Sequence, residues 1–238
     1  MSAPTAPRRI GLLVCGHLHP DALEVGGDYP PLFDELLGGH DIELVTYDAD
    51  LGHLPESVDE CDGWLTSPGR PSVTDDEPWI ADAQAFVRDV VDAERPFVGI
   101  CFGHQLLAQA MGGRVERAVV GWGVGAQTYE VVDREPWMTP AVSRFELIAS
   151  HEDQVVELPP GARLLATAEY CPNAMFSLGD RALGIQPHPE LTAAHSTILL
   201  TARRDLIGPE RSDDALATLD RPLDRHLVAG WIAQFLAT

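Results

Sequence analysis

Apolar runs too short for helices punctuate the first hundred positions. Residues 9–16 (RIGLLVCG), 41–48 (DIELVTYD), 62–67 (DGWLTS) and 96–100 (PFVGI) read as strands buried on both faces. Between the last two, Trp79, Ile80, Ala83, Phe86, Val87, Val90 and Val91 recur at helical spacing and form one apolar stripe. Pro78 near the start of that stretch and Pro96 beyond its end suit a helix entry and exit. Strand, helix, strand is the βαβ unit, and its repetition predicts a parallel sheet covered on both faces.

After Gly113 the rhythm changes. Residues 120–133, 145–161, 162–180 and 182–190 read as short strands joined by Gly and Pro turns, an antiparallel extension of the same sheet. At the end, Leu227, Val228, Trp231, Ile232, Phe235 and Leu236 predict a closing amphipathic helix. The acidic stretch 205–224 and the segment 17–33 receive no assignment from pattern. A flexible tip over residues 1–8 and a single domain over residues 9–238 follow as the expected organisation.

Composition sharpens this picture mainly by exclusion. The chain has 238 residues, 37 acids against 16 bases, and a formal charge of −21. Such a surface repels phosphate backbones and anionic lipid, so neither nucleic acid nor membrane is an expected partner. Every base is arginine, which removes mechanisms built on a phosphate-binding or Schiff-base lysine. The start, MSAPTAPRR, lacks the apolar core of a secretory signal, and no run of apolar residues is long enough to span a bilayer, so the expected location is cytoplasmic. Cysteines at 15, 61, 101 and 171 lack the paired short spacings of a disulfide framework or zinc ribbon.

Cys101 stands apart from the others. It ends the strand FVGI and begins the helical run FGHQLLAQAM, with Gly99 and Gly103 two residues to either side. A strand turning directly into a helix strains the turning residue and projects its side chain from the sheet edge. The helix N-terminus favours negative charge at the sulfur, and the Phe102 N–H is placed for a developing oxyanion. The same pattern also describes a small cysteine packed in the core. A thiolate nucleophile needs a base. His188 in GIQPHPE is the strongest candidate, because Glu190, two residues on, shares its face in extended backbone and orients the ring. An ordinary loop histidine is the plain alternative. His104 and His151 are rivals, and His17 and His19 after Cys15 invite a weaker metal reading; no metal is assigned.

Together GICFGHQLLAQAMGG, SHEDQV and QPHPE resemble, in order and spacing, the class I glutamine amidotransferase family, and most of all its stand-alone, GMP-synthase-like members. The likeness runs over residues 42–192. It implies a flavodoxin-like three-layer α/β sandwich with a mostly parallel central sheet and an antiparallel extension. It also implies Cys101 as nucleophile, His188 as base and Glu190 as orienting acid, with no cofactor. Gln105 would touch bound glutamine, and the Ser150–His151 backbone would hold the substrate's amino-acid end. The Phe102 N–H and a backbone N–H in the loop 67–70, by the likeness Gly69, would form the oxyanion hole. Here TSPGRP departs from the family's usual Gly-Ser-Pro and leaves the register open. The resemblance implies glutamine hydrolysis that hands ammonia to a separate synthase subunit. Two alternatives stay open: a self-sufficient hydrolase or peptidase of a γ-glutamyl amine, peptide or thiol conjugate, and a catalytically idle binding protein on the same fold.

Overall fold

The computed structural model describes residues 6–238. The predicted tip falls largely outside these residues, and the first strand already begins at Arg8. In chain order the elements are β1 (Arg8–Val14), α1 (Pro20–Gly26), α2 (Tyr29–Leu37), β2 (Ile42–Asp48), β3 (Gly63–Thr66), α3 (Pro78–Asp92), β4 (Phe97–Ile100) and α4 (Phe102–Ala110). They continue with β5 (Arg114–Arg117), β6 (Gly123–Val131), β7 (Arg144–His151), β8 (Asp153–Glu157), β9 (Ala162–Ala168), β10 (Cys171–Leu178) and β11 (Ala182–Ile185). The chain closes with α5 (Ala193–Ala202), α6 (Arg204–Ile207), α7 (Pro209–Leu216) and α8 (Arg225–Leu236).

A nine-stranded sheet runs in the order β2-β1-β3-β4-β11-β10-β9-β6-β7. From β2 to β11 every pairing is parallel. From β11 to β7 every pairing is antiparallel. The fold is thus the mostly parallel α/β sandwich with antiparallel extension that the pattern predicts. One expectation needs correction: β5 and β8 pair with each other in a separate two-stranded ribbon rather than joining the main sheet.

Strand alternation sends successive side chains to opposite faces and builds two cores. Leu12, Val14, Val98 and Ile100 meet Phe33 of α2 and Trp231 and Phe235 of α8 on one face. Leu13, Trp64 and Phe97 meet Phe86 of α3 and Phe102 and Leu106 of α4 on the other. Pro78 at the first turn of α3 supplies the helical φ where its missing N–H costs nothing. The two stretches without assignment also fold: segment 17–33 holds α1 and the start of α2, and 205–224 holds α7 and the end of α6. Among the described residues no helix is long and apolar enough to cross a membrane.

Candidate active site

The turn from β4 to α4 puts Cys101 at φ 50°, one of three non-glycine residues with positive φ among those described. Such a conformation costs an L-residue on the order of 1–3 kcal/mol and persists only when the surroundings impose it. Here the surroundings are two close approaches. A Cβ on Gly99 would lie 2.2 Å from the Gly103 carbonyl oxygen, and one on Gly103 would lie 1.5 Å from Thr66 Oγ1. Helix α4 therefore starts flush against β4 and β3, and the chain must turn at a single residue. The Cys101 N–H donates to the Ile185 carbonyl at 2.8 Å, so the elbow is also pinned to β11.

That pairing explains how residues nearly ninety positions apart meet. Strands β4 and β11 are parallel neighbours with Ile100 opposite Ile185. Cys101 and the segment 186–190 therefore leave the same sheet edge side by side. His188 is tied in a second way, its N–H donating to the Ile148 carbonyl of β7 at 2.9 Å. The imidazole Nδ1–H donates to Glu190 Oε1 at 2.7 Å. Relative exposures of 5% for Cys101, 3% for His188 and 0% for Glu190 put this trio in a low-dielectric pocket where charges interact strongly. Nε2 of His188 makes no hydrogen bond of ordinary geometry. Burial alone would hold the imidazole neutral, but negative charge on the Cys101 sulfur and on Glu190 outweighs it and raises the pKa above the usual histidine range.

The other cysteines differ in kind. Burial pushes the thiols of Cys15 and Cys61 up, and that of Cys171 up to about 12. The rival histidines differ too. His104 is wholly buried against Phe176, and desolvation lowers its pKa to about 3. His151 donates from Nδ1 to the Asp153 carbonyl at 3.0 Å, and burial lowers it to about 4. Both are held neutral; His104 packs in the core, whereas His151 faces the cavity over Cys101. His17 sits between Asp28 and Asp50, away from the elbow in sequence and half-exposed.

A cavity of about 340 Å³ opens over the sulfur. Its wall includes Cys101, Phe102, Gln105, Gly69, Ser150 and His151, whereas His188 and Glu190 are not part of that wall. Gln105 is already engaged, with Nε2 donating to the Asp153 carbonyl at 2.8 Å and to Gln186 Oε1 at 3.1 Å. The Ser150 and His151 backbones belong to the β6–β7 ladder, opposite Val124 and Gly123. Gly69 packs so closely that a Cβ there would meet the Cys15 carbonyl oxygen at 2.5 Å and the Phe102 ring at 3.1 Å. The loop 67–70 thus lies directly against the first residue of α4.

Three contributors escaped pattern reading. Arg225, at the first position of α8, donates from Nε to the Pro189 carbonyl at 2.9 Å and from Nη2 to the Glu190 carbonyl at 3.0 Å, clamping the base segment from behind. Tyr29 at the start of α2 is buried within the fields of Glu190, Cys101 and Arg203. Arg203, just beyond α5, donates to Ser150 Oγ at 3.2 Å and lines the cavity. Only their arrival from distant segments marks them, and no local motif announces it.

The family model described as glutamine amidotransferase class-I matches residues 36–201. Gamma-glutamyl peptidase 3 of Arabidopsis thaliana is 32% identical over 58% of this chain and 59% of its own length. GMP synthase [glutamine-hydrolyzing] of Thermomicrobium roseum is 36% identical over 70% of this chain. The chain spans about three fifths of the peptidase and 30% of the synthase. The crystal structure of a glutamine amidotransferase from Thermotoga maritima superposes with a TM-score of 0.76, covering 98% of this chain and 97% of that one at 21% identity, and so shares the fold.

Proposed function

The chain belongs to the class-I glutamine amidotransferase family, and from that premise we propose that it hydrolyses a γ-glutamyl amide bond through a thioester on Cys101. The observation that carries this reading is the strained elbow at φ 50° with a hydrogen-bonded His188–Glu190 pair leaving the neighbouring strand. The cysteine thiolate attacks the γ-carbonyl carbon. The oxygen that gains charge lies between the Phe102 N–H and a backbone N–H of the Gly69–Arg70 loop. The C–N bond breaks as the protonated His188 gives its proton to the leaving nitrogen. Water then attacks the thioester, His188 takes a proton back, and glutamate leaves with the thiolate restored. Glu190 holds the ring throughout. An idle binding protein would have no use for this strain, which supports a working site. Residues 9–238 act in this reading as one unit, because the cavity wall draws on segments from Gly69 to Leu206.

Two substrates suit this chemistry. Glutamine would release ammonia for a separate synthase, as the name of the synthase relative brings to mind. A γ-glutamyl amine, peptide or conjugate would need no partner, and the peptidase relative favours it. An electrophilic glutamine analogue tests the shared step. Mass spectrometry is expected to find the adduct on Cys101; an adduct on Cys15, Cys61 or Cys171 instead would remove the assignment. Turnover of glutamine and of a γ-glutamyl panel then separates the two substrates.

A further inference from the structure

Gln186 is the first residue after β11, two before His188, and it is wholly buried. Its backbone N–H donates to the Ala174 carbonyl at 2.8 Å, which ties it to β10. Its side chain has one hydrogen-bond partner among the described residues: Oε1 accepts from Gln105 Nε2 at 3.1 Å, and its own Nε2 has none. A buried amide nitrogen without a partner is destabilising, and a methionine of similar length would fill the same space without that cost. Packing therefore does not account for a glutamine here. The contact with Gln105 does.

That contact decides which way round the Gln105 carboxamide sits. A backbone carbonyl only accepts, so the Gln105 atom 2.8 Å from the Asp153 carbonyl must be the amide nitrogen. Its second hydrogen goes to Gln186 Oε1, and a reversed Gln186 would set donor against donor. The Asp153 carbonyl is filled as well, by Gln105 Nε2 and by His151 Nδ1 at 3.0 Å. Gln105 Oε1 stays uncommitted: it makes no hydrogen bond among the described residues, and it is not sealed away as Gln186 Nε2 is. Gln105 lines the cavity over Cys101 together with Glu152 and Asp153, whose charge Arg117 offsets in part at 3.3 Å and 3.9 Å. Sharing the Asp153 carbonyl with His151 puts Gln105 at the amino-acid end of the site. An acceptor beside two carboxylates there suits an ammonium group. We propose that Gln186 is a positioning residue, which locks the Gln105 carboxamide with its oxygen toward the cavity so that the site reads the α-ammonium of a glutamyl group. This rests on the thioester reading above. One segment then carries the base and, through Gln186, sets the polarity of substrate recognition.

The test measures how well glutamine and glutaramate, the same compound without its α-amino group, protect Cys101 from the electrophilic glutamine analogue. The native protein is expected to be half-protected by about 10- to 100-fold less glutamine than glutaramate, the scale of hydrogen bonds to a charged group. In Gln186→Met that advantage should shrink by about 3- to 10-fold, through a higher requirement for glutamine while that for glutaramate holds, with urea midpoints as the control for folding. In a Gln105→Met background the same substitution should change the ratio no further, because Gln186 acts through Gln105. Gln186→Glu keeps an acceptor and no donor toward Gln105, so it should retain the advantage, and it carries the test if Gln186→Met does not fold. A native ratio near one, a ratio unchanged in folded Gln186→Met, an equal loss on both compounds, or a lost advantage in Gln186→Glu would overturn the assignment. An adduct on Cys101 together with a ratio of one sinks this proposal alone, and absence of the adduct sinks the thioester reading with it.

Discussion

Two cysteines follow central parallel strands of the same sheet, and only one has the surroundings that the proposed nucleophile needs. Cys15 comes directly after β1 and Cys101 directly after β4. Both are buried. After Cys15 the chain passes through Gly16 and an irregular stretch before α1, so the residue relaxes. Its N–H is satisfied by Ser67 Oγ at 2.9 Å, and its thiol points back to the Leu13 carbonyl. After Cys101 the helix begins at once, the backbone is forced to φ 50°, and the next segment over, leaving β11, carries His188. The end of a parallel strand is therefore not sufficient for a nucleophile. What differs is the abruptness of the turn and the neighbour it faces.

The comparison is broken most directly by removing each sulfur. Cys101→Ala is expected to lower γ-glutamyl hydrolysis by on the order of a thousandfold or more, while Cys15→Ala leaves the chemistry in place; steady-state rates on the best substrate check both. Next in size is the abrupt turn itself. Gly103→Ala puts a methyl 1.5 Å from Thr66 Oγ1. Overpacking of this kind costs about 1–3 kcal/mol, read as a lower urea midpoint together with lost activity. Adding Thr66→Ala should recover part of both, and no recovery would mean that close approach is not what shapes the elbow.

The neighbour comes third. Arg225→Gln removes two charge-assisted hydrogen bonds to the backbone that carries His188 and Glu190. It is expected to lower kcat by about 10-fold with little change in KM, to shift the alkaline limb of the pH–rate profile, and to be partly rescued by Arg225→Lys. A fall in stability with unchanged kcat would make the clamp merely structural.

Acid sensitivity concerns stability rather than turnover. His104 and His151 are held neutral in the folded protein at about 3 and about 4, against 6.5 when unfolded. Below about pH 6.5 the unfolded chain binds more protons, so stability is full above that value and falls as pH drops. One such histidine contributes about 2 kcal/mol of loss between about pH 7.5 and pH 5. His188 works in the opposite sense. Its folded pKa is raised, so its contribution is complete below about pH 6.5 and fades as pH climbs through the raised value. Urea titrations with and without His104→Gln check the sign.

The elbow and the proposed base are legible because each is a local pattern. Glycines flank Cys101, and His188 and Glu190 sit two apart between prolines. The parallel strands are equally plain, since burial on both faces leaves unbroken apolar runs such as 97–100. What stays hidden depends on three-dimensional arrival. Helix α5 has Ile198, Leu199 and Leu200 in succession, so it shows no stripe to read. Tyr29 and Arg203 lie in segments whose composition looks like surface. The β5–β8 ribbon differs from a sheet extension only in its choice of partner, which alternation cannot encode.

The single bridge between His188 and Ile148 joins the base to β7, the last strand of the sheet. β6 is its one strand partner, and its other edge is held by this bridge and by the hydrogen bonds between Glu146 and Asp224, so opening it costs less than opening the parallel centre. Catalytic competence is thus hostage to the periphery. On gentle heating, turnover should fade while amide protons of β1, β3 and β4 are still shielded from exchange.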